Sequence, residues 1–407
     1  MTNLPPISRR VGVAGVAVTV LSVALGGAFL QGAFGGGPVA SPGGSGVVAL
    51  PSPTAGNSIQ PGSISPASPS PTPAPTPVLV AAPLDGVLVS PAAARQHVIA
   101  VMIDDHSAAR PQSGFSDASV VWQAPAEGGI PRYMLMFQER TPKLVGPVRS
   151  ARYYYVAWAS EWRAAYVHSG GSPQAIQALR DKGQGQFVYN ADEYAWGSSF
   201  WRVTNRFPPH NLYTDGKHLR TLAAKVKATA PPAKAAWLFS PDAPLEQRPA
   251  GGRLQVSYLA STIVYRYDRA TNTYRRFVGG VRQVDPSTKK QVAPKNVVIM
   301  RMVFGSLNDG HPEKRRLEAK IVGKGTAWIA TNGRTIKGTW RKPSITAPTR
   351  FYDASGHPVH LTVGQTFVQV MMTTDVVKIQ DGKVSAPTRP TPTPTPTAWF
   401  SRGPIAI

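Results

Sequence analysis

No cysteine occurs in the 407 residues of this chain. That absence excludes disulfide bonds, a thiolate nucleophile and cysteine-ligated zinc. Carboxylates are scarce too: 21 aspartates and glutamates stand against 44 lysines and arginines, for a formal net charge of +23. A chain this basic implies an anionic partner, whether nucleic acid, acidic lipid or an anionic wall polymer. Several signature motifs are also missing. There is no GxxxxGK[ST] loop, no GxGxxG after a strand and no HExxH. Ser287-Thr288-Lys289-Lys290 fits SxxK, but it lies in a turn-rich stretch without a companion SDN or KTG, which removes its meaning.

What is present divides the chain into regions. Residues 1–10 are short and end in Arg9-Arg10, and Val11–Phe34 is 24 residues without a charge. A membrane-spanning helix needs about 20 apolar residues. Basic residues before the stretch, and no charge after it until Asp85, predict an uncleaved single-pass anchor with a cytoplasmic N-terminus; a cleaved signal peptide is the alternative. Residues 35–84 hold 12 prolines among Gly, Ser, Ala and Thr. Such a segment cannot bury a core and would act as a tether, reaching on the order of 150 Å at ~3.1 Å per residue. This topology places the folded part outside the cell, away from nucleic acid and near envelope polyanions and lipid phosphates.

Patterning predicts an α+β chain. Residues 85–240 read as an α/β-like domain with a central sheet and helices, and residues 241–376 as a basic, mainly β domain. The charge is uneven: residues 85–240 carry 17 basic against 11 acidic side chains, and residues 241–385 carry 23 against 10. Residues 377–407 form a Pro/Thr-rich tail. In the first domain, apolar runs at His97–Ile103, Ala118–Trp122, Tyr133–Phe137 and Ala164–Val167 predict buried strands. Ala151–Arg163, Ser172–Arg180 (with Pro173 at its first position) and Thr214–Ala228 (capped by Thr214) read as helices. In the second, strands are predicted at Asn296–Phe304, Leu317–Val322, Thr326–Ala330, Thr335–Trp340 and Thr366–Met372, with turns at Gly279-Gly280, Asn332-Gly333 and Ser355-Gly356.

The loops that join the first strands carry the chemistry. One holds Asp104, Asp105, His106 and Arg110; the next Glu127 and Arg132; the third Arg149, Ser150 and Arg152; the fourth His168, Ser169 and two glycines. The segments MIDDHSAARPQSGFSDASVVWQAPAEGGIPRYMLMF, GPVRSARYYY, VHSGGSPQA, FWRVTNRFPPHNLYT, YDRATNTYRRFVGG and IKGTWRK resemble the YerB-like family of bacterial envelope proteins over about Pro83–Val376. The resemblance implies an envelope protein built from domains of unknown function. Members are often lipoproteins anchored through a cysteine, which this chain lacks. A weaker similarity is to the LytR-CpsA-Psr enzymes, which move glycopolymers from a polyprenyl pyrophosphate carrier to the cell wall with arginines, acidic residues and magnesium. Their Pro-Arg-Asp turn is replaced here by Pro147-Val148-Arg149-Ser150.

The residues themselves point to an anion site. Guanidinium groups grip phosphate or carboxylate oxygens in two-pronged fashion. Arg110, Arg132, Arg149, Arg152, Arg202 and Arg206 are the candidates, of which two or three are expected to be spent on carboxylates such as Asp104, Asp117, Glu127 or Glu161. Arg149, at a predicted helix start after Gly146-Pro147, should face the cleft beside free backbone amides. Alternation along the strand should turn one of Asp104 and Asp105 into the cleft and the other away. With Glu127, that aspartate could hold Mg2+ through phosphate oxygens, although orienting an arginine suits it better. His106, His168 and His210 are candidates for proton transfer or for structural hydrogen bonding. The amides of Ser169-Gly170-Gly171 could form an anion nest. Ser113, Ser150, Ser169 and Asn211 complete the candidate contacts, and a serine hydrolase using one of the three serines is an alternative. Three functions stay open: a binder of a phosphorylated or anionic cell-wall ligand such as a polyprenyl (pyro)phosphate, a phosphotransferase or hydrolase on such a ligand, and a non-enzymatic scaffold.

Overall fold

The first long strand, β1 (Ile99–Asp104), is buried along its whole length, as expected for a continuous apolar run covered on both faces. The computed structural model describes residues 77–232 and 235–384. The predicted anchor at Val11–Phe34 lies outside the described residues, as do residues 35–76 of the tether predicted over 35–84 and residues 385–407 of the tail predicted over 377–407; the first residues of that tail are instead part of the strand Val376–Lys383. Among the described residues no helix is long and apolar enough to cross a membrane.

The fold is α+β. Around β1 lie β2 (Val120–Pro125), β3 (Pro131–Phe137), α1 (Tyr153–Ala159), β4 (Ala165–His168), α2 (Pro173–Lys182), β5 (Tyr189–Asp192) and α3 (Gly216–Lys225). Then come β6 (Ala250–Tyr258), β7 (Ser261–Asp268), β8 (Thr273–Val278), β9 (Val281–Arg282), β10 (Asn296–Met302), β11 (Gly323–Thr331), β12 (Arg334–Lys342), β13 (Arg350–Asp353), β14 (Thr366–Met372) and β15 (Val376–Lys383). Ten strands form one mixed sheet in the order β13-β12-β11-β10-β14-β2-β3-β1-β4-β5. Its halves come from both ends of the described chain and join where β14 runs parallel to β2, with Thr366 opposite Val120. A five-stranded antiparallel sheet, β9-β8-β7-β6-β15, lies over part of it.

The alternation of strand residues divides the core in two. On one face Ala100, Met102, Trp122, Met134, Val298 and Val368 pack with α1; Trp122 stacks on Trp158 at 4.7 Å. On the other, Ile99, Val101, Ile103, Tyr133 and Phe367 pack against α3 and against Leu254, Ile263 and Tyr265 of the second sheet. The strands β1, β4 and β5 run parallel, with α2 as the crossover between the last two. Pro173 opens α2 and the Ser172 side chain caps it. The third helix is capped by Asp215, which accepts from the His218 amide at 2.8 Å; the Thr214 hydroxyl donates instead to the Ser199 carbonyl at 2.8 Å. The predicted strand at Leu317–Val322 is shorter, Leu317–Ala319, and pairs with Phe304–Ser306. The Asn332-Gly333 turn joins β11 to β12 with both residues at positive φ (49° and 75°), the geometry of a two-residue hairpin.

Candidate functional site

The carboxyl ends of the parallel strands β1, β4 and β5 carry Asp104, His168 and Asp192. Ligands of parallel sheets gather at such an edge. Asp104 continues the parity of Ala100 and Met102, and pairs across the sheet with Arg132. Its Oδ1 accepts from the His106 amide at 3.0 Å. Its Oδ2 lies 2.7 Å from His210 Nδ1 and 3.2 Å from Arg149 Nε. Burial alone would raise the Asp104 pKa, but the His106 amide, Arg149, His210 and Arg132 together outweigh it and hold the carboxyl below its ordinary value. Asp105 turns to the opposite side. There it accepts from Arg110 Nε (3.1 Å), Gln112 Nε2 (3.2 Å) and Gln123 Nε2 (2.7 Å).

Arg149 is held by its backbone. Val148 bridges Ile103, and the Arg149 amide donates to the Met102 carbonyl at 2.9 Å. Gly146, before it, sits at φ +153°, where a Cβ would lie 2.6 Å from Tyr213 Cδ1 and 2.8 Å from the Leu212 carbonyl oxygen; only glycine lets the two loops approach this closely. The expectation of free amides beside Arg149 is not met, because α1 begins later, at Tyr153, and the Ala151 amide donates to the Gly170 carbonyl at 2.8 Å. The Ser169-Gly170 amides are likewise consumed, by the Arg149 carbonyl and by Asp192 Oδ1.

The other five candidate arginines are engaged by protein acceptors. Arg132 donates to the Ser150 carbonyl (2.7 Å), Ser150 Oγ (2.9 Å) and Glu127 Oε2 (2.9 Å). Arg152 takes the other oxygen of Glu127 and the Ala151 carbonyl. Arg110 is spent on Asp105, on the opposite side of the sheet. Arg202 donates to Asn211 Oδ1 (3.0 Å) and Glu193 Oε1 (3.3 Å). Arg206 donates to the carbonyls of Ala109 (2.6 Å) and Pro111 (2.8 Å) and to the Tyr213 hydroxyl (2.9 Å), which ties the His210 loop to the His106 loop. Among the described residues Arg149 Nε, like Arg152 Nε, has no hydrogen-bond partner, but Arg152 donates through its other nitrogens, whereas the approach of Arg149 to Asp104 is an ion pair without hydrogen-bond alignment.

The histidines separate. His106 and His210 stack at 4.6 Å and 14° over Asp104. His168 is wholly buried, its nitrogens 2.8 Å from the Gly170 carbonyl and 2.8 Å from Asn190 Oδ1, which is a structural arrangement. Ser169 Oγ donates to Glu193 Oε2 at 2.7 Å. Ser113 is buried, and its backbone pairs with Gly146. The fold thus gathers Asp104, His106, Arg132, Arg149, Ser150 and His210, with Glu127 and Arg152 reached through Arg132. His168, Ser169, Arg202 and Asn211 form a flanking cluster with Asp192 and Glu193, and Arg110 and Ser113 lie apart.

Three contributors were not anticipated. Tyr194, 80% exposed, stands at the rim of Gly170 and close enough to Arg149 to affect its charge. Glu193 anchors both Ser169 and Arg202. Behind Asp105, Arg276 is fully buried and donates to Gln123 Oε1 (2.6 Å) and Tyr265 (2.9 Å), so that Gln123 links it to Asp105. The Arg276 signal was present in YDRATNTYRRFVGG, but nothing local distinguishes it from exposed Arg275.

Among the described residues no group of three or more His, Asp or Glu side chains is placed to hold a metal ion. Asp104 is shared by His210, Arg149 and an amide, and Glu127 by two arginines. This donor set does not fit magnesium.

Comparison with known proteins agrees with this architecture. Residues 84–229 match the family described as "Protein of unknown function (DUF3048) N-terminal domain", and residues 254–368 match its C-terminal domain. The Bacillus subtilis protein named "Putative lipoprotein YerB" is 30% identical over 314 residues, covering 74% of this chain and 89% of that protein. The crystal structure of YerB from Bacillus subtilis superposes with a TM-score of 0.64 at 26% identity, covering 74% of this chain and 99% of that one. The chain therefore belongs to the YerB-like family of DUF3048 proteins.

Proposed function

We propose that this chain is an extracytoplasmic envelope protein that binds a phosphorylated, cell-wall-related ligand, such as a polyprenyl (pyro)phosphate, at Asp104, Arg149 and His210. The observation that carries the proposal is Arg149. The neighbouring Arg132, Arg152, Arg202 and Arg206 each donate hydrogen bonds to protein oxygens, whereas Arg149 keeps a partly exposed guanidinium whose one ion pair among the described residues is with Asp104. Burial, then the like charge of Arg132, push its pKa down, while Asp104 opposes them. A second anion would relieve that repulsion. Membrane attachment is supported by the lipoprotein name of the Bacillus relative and by uncharged Val11–Phe34 in a chain with no cysteine to lipidate. Calorimetric titration of the full chain with pyrophosphate tests the binding. Saturable binding that inorganic sulfate fails to displace supports it, and absence of heat at millimolar pyrophosphate refutes it.

One observation favours a catalytic version. Asp104 holds His210 through Nδ1 at 2.7 Å, an orientation that leaves Nε2 for proton transfer to a bound ligand. Turnover of a polyprenyl pyrophosphate, followed by phosphorus NMR, separates catalysis from binding. His210→Gln should abolish turnover while weakening binding less than Arg149→Ala does.

A further inference from the structure

Far from that site, the edge of the ten-stranded sheet places three cations side by side. Lys324 of β11 is directly opposite Arg341 of β12, and Arg341 is directly opposite Arg350 of β13. All three are exposed. Like charges directly opposed across strands are destabilising, and strands lie about 4.8 Å apart. Among the described residues none of the three enters a salt bridge with a carboxylate. The neighbouring Lys342 points the other way, fully buried against Glu161 at 2.7 Å, so alternation separates a neutralised lysine from an unneutralised row.

The row is recessed. Two adjoining cavities of about 690 and 490 Å³ share Val322, Gly323 and Lys324, and no aspartate or glutamate lines either one. Lys320 and Arg301 extend the positive lining into the second cavity. Asp375, the carboxylate that feels Arg301, lies outside both linings. Aromatic rings support the guanidiniums: Arg341 lies 4.3 Å over Tyr352 and Arg301 lies 5.8 Å over Trp328. Such stacking pre-orders a cation before its anion arrives.

We propose that this trough is a second binding site, for a linear polyanion carrying phosphodiester charges. A concave channel with cations on successive strands suits a chain better than a flat bilayer. It does not depend on the Arg149 site.

The test uses the full chain in detergent micelles with linear inorganic polyphosphate as probe, over a salt series, beside the triple variant Lys324→Gln/Arg341→Gln/Arg350→Gln. The variant should bind tenfold or more weakly at low salt. The slope of log affinity against log salt should become shallower by about 2, for three lost phosphate contacts at ~0.7 each. Its melting temperature should hold or rise, because the opposed charges are gone. The triple variant should keep wild-type affinity for pyrophosphate, which is too short to span three strands at about 4.8 Å each. The proposal is overturned if the triple variant binds polyphosphate like wild type or if it loses binding together with its melt. It is also overturned if the variant loses only binding to anionic vesicles (which would make the patch a membrane contact), or if it loses affinity for pyrophosphate as much as for polyphosphate.

Discussion

Asp104 and Asp105 are neighbours in the chain, yet they lie on opposite faces of the ten-stranded sheet, and their pKa values move in opposite directions. At Asp104 burial is outweighed by the His106 amide, Arg149, His210 and Arg132, and the pKa falls. At Asp105 burial wins over Arg110 and Arg276, and the pKa rises. The first is a site carboxylate that stays charged. The second is a core carboxyl that ties the two sheets together through Gln123.

The two aspartates should therefore give opposite pH signatures. A depressed folded pKa stabilises the protein above the unfolded value of about 3.9 and loses that contribution as pH falls through the folded pKa. The stability gap between wild type and Asp104→Asn should shrink as pH drops below about 4. A raised folded pKa stabilises below about 3.9 and loses its contribution as pH rises through the folded value. The gap between wild type and Asp105→Asn should shrink as pH climbs above about 4. Denaturant unfolding at several pH values reads both slopes, and slopes of the same sign would contradict the assignment.

The buried pair of Lys342 and Glu161 predicts a large loss. Lys342 Nζ also donates to the Ala347 carbonyl at 2.6 Å, and Glu161 accepts from the Thr349 amide (3.0 Å) and hydroxyl (2.6 Å). Lys342→Met strands a buried carboxylate and should cost about 3–5 kcal/mol in denaturant unfolding. Adding Glu161→Gln removes the stranded charge, keeps an acceptor for Thr349, and should recover part of the loss. No recovery in the double variant would mean the lysine acts by packing alone.

Arg206 predicts a coupled effect on the site. Two of its charge-assisted bonds fasten the His210 loop to Ala109 and Pro111, and a third goes to the Tyr213 hydroxyl. Arg206→Ala should cost about 1.5–3 kcal/mol and release the His106–His210 stack, seen in NMR as averaging of the His210 ring signals. An unchanged His210 environment would show that the Asp104 contact suffices to hold the loop.

Much of the fold was legible because its signals are local. The run His97–Ile103 reads as a buried strand from composition alone and the strand occupies Ile99–Asp104, and Asn332-Gly333 marks a turn through the backbone angles those residues accept. The division of Asp104 from Asp105 followed from strand alternation. Which arginine stays unspent was not legible, because the acceptors are distant: Arg206 is satisfied by carbonyls 95 and 97 residues away in sequence. Arg276 escaped for the opposite reason. It stands on the inward face of a strand where a hydrophobic residue is expected, and its partners Gln123 and Tyr133 come from another sheet. Free amides beside Arg149 are not found, because the helix starts at Tyr153 and the Ala151 amide is taken by the Gly170 carbonyl, an acceptor 19 residues away that a linear reading cannot place.

The most direct test is the response of Arg149 variants to pyrophosphate in calorimetry, with melting curves alongside. A lysine keeps the charge and loses the two-pronged grip. Arg149→Lys should bind more weakly than wild type, and Arg149→Ala more weakly still, by about 1.5–3 kcal/mol, or roughly ten- to a hundredfold. Both should keep a cooperative melt, with Arg149→Ala losing only the ion pair with Asp104, since among the described residues Arg149 Nε makes no hydrogen bond. Wild type that binds no pyrophosphate, or an Arg149→Ala protein whose melt collapses, would show instead that Arg149 is a structural partner of Asp104 and that the anion site does not exist.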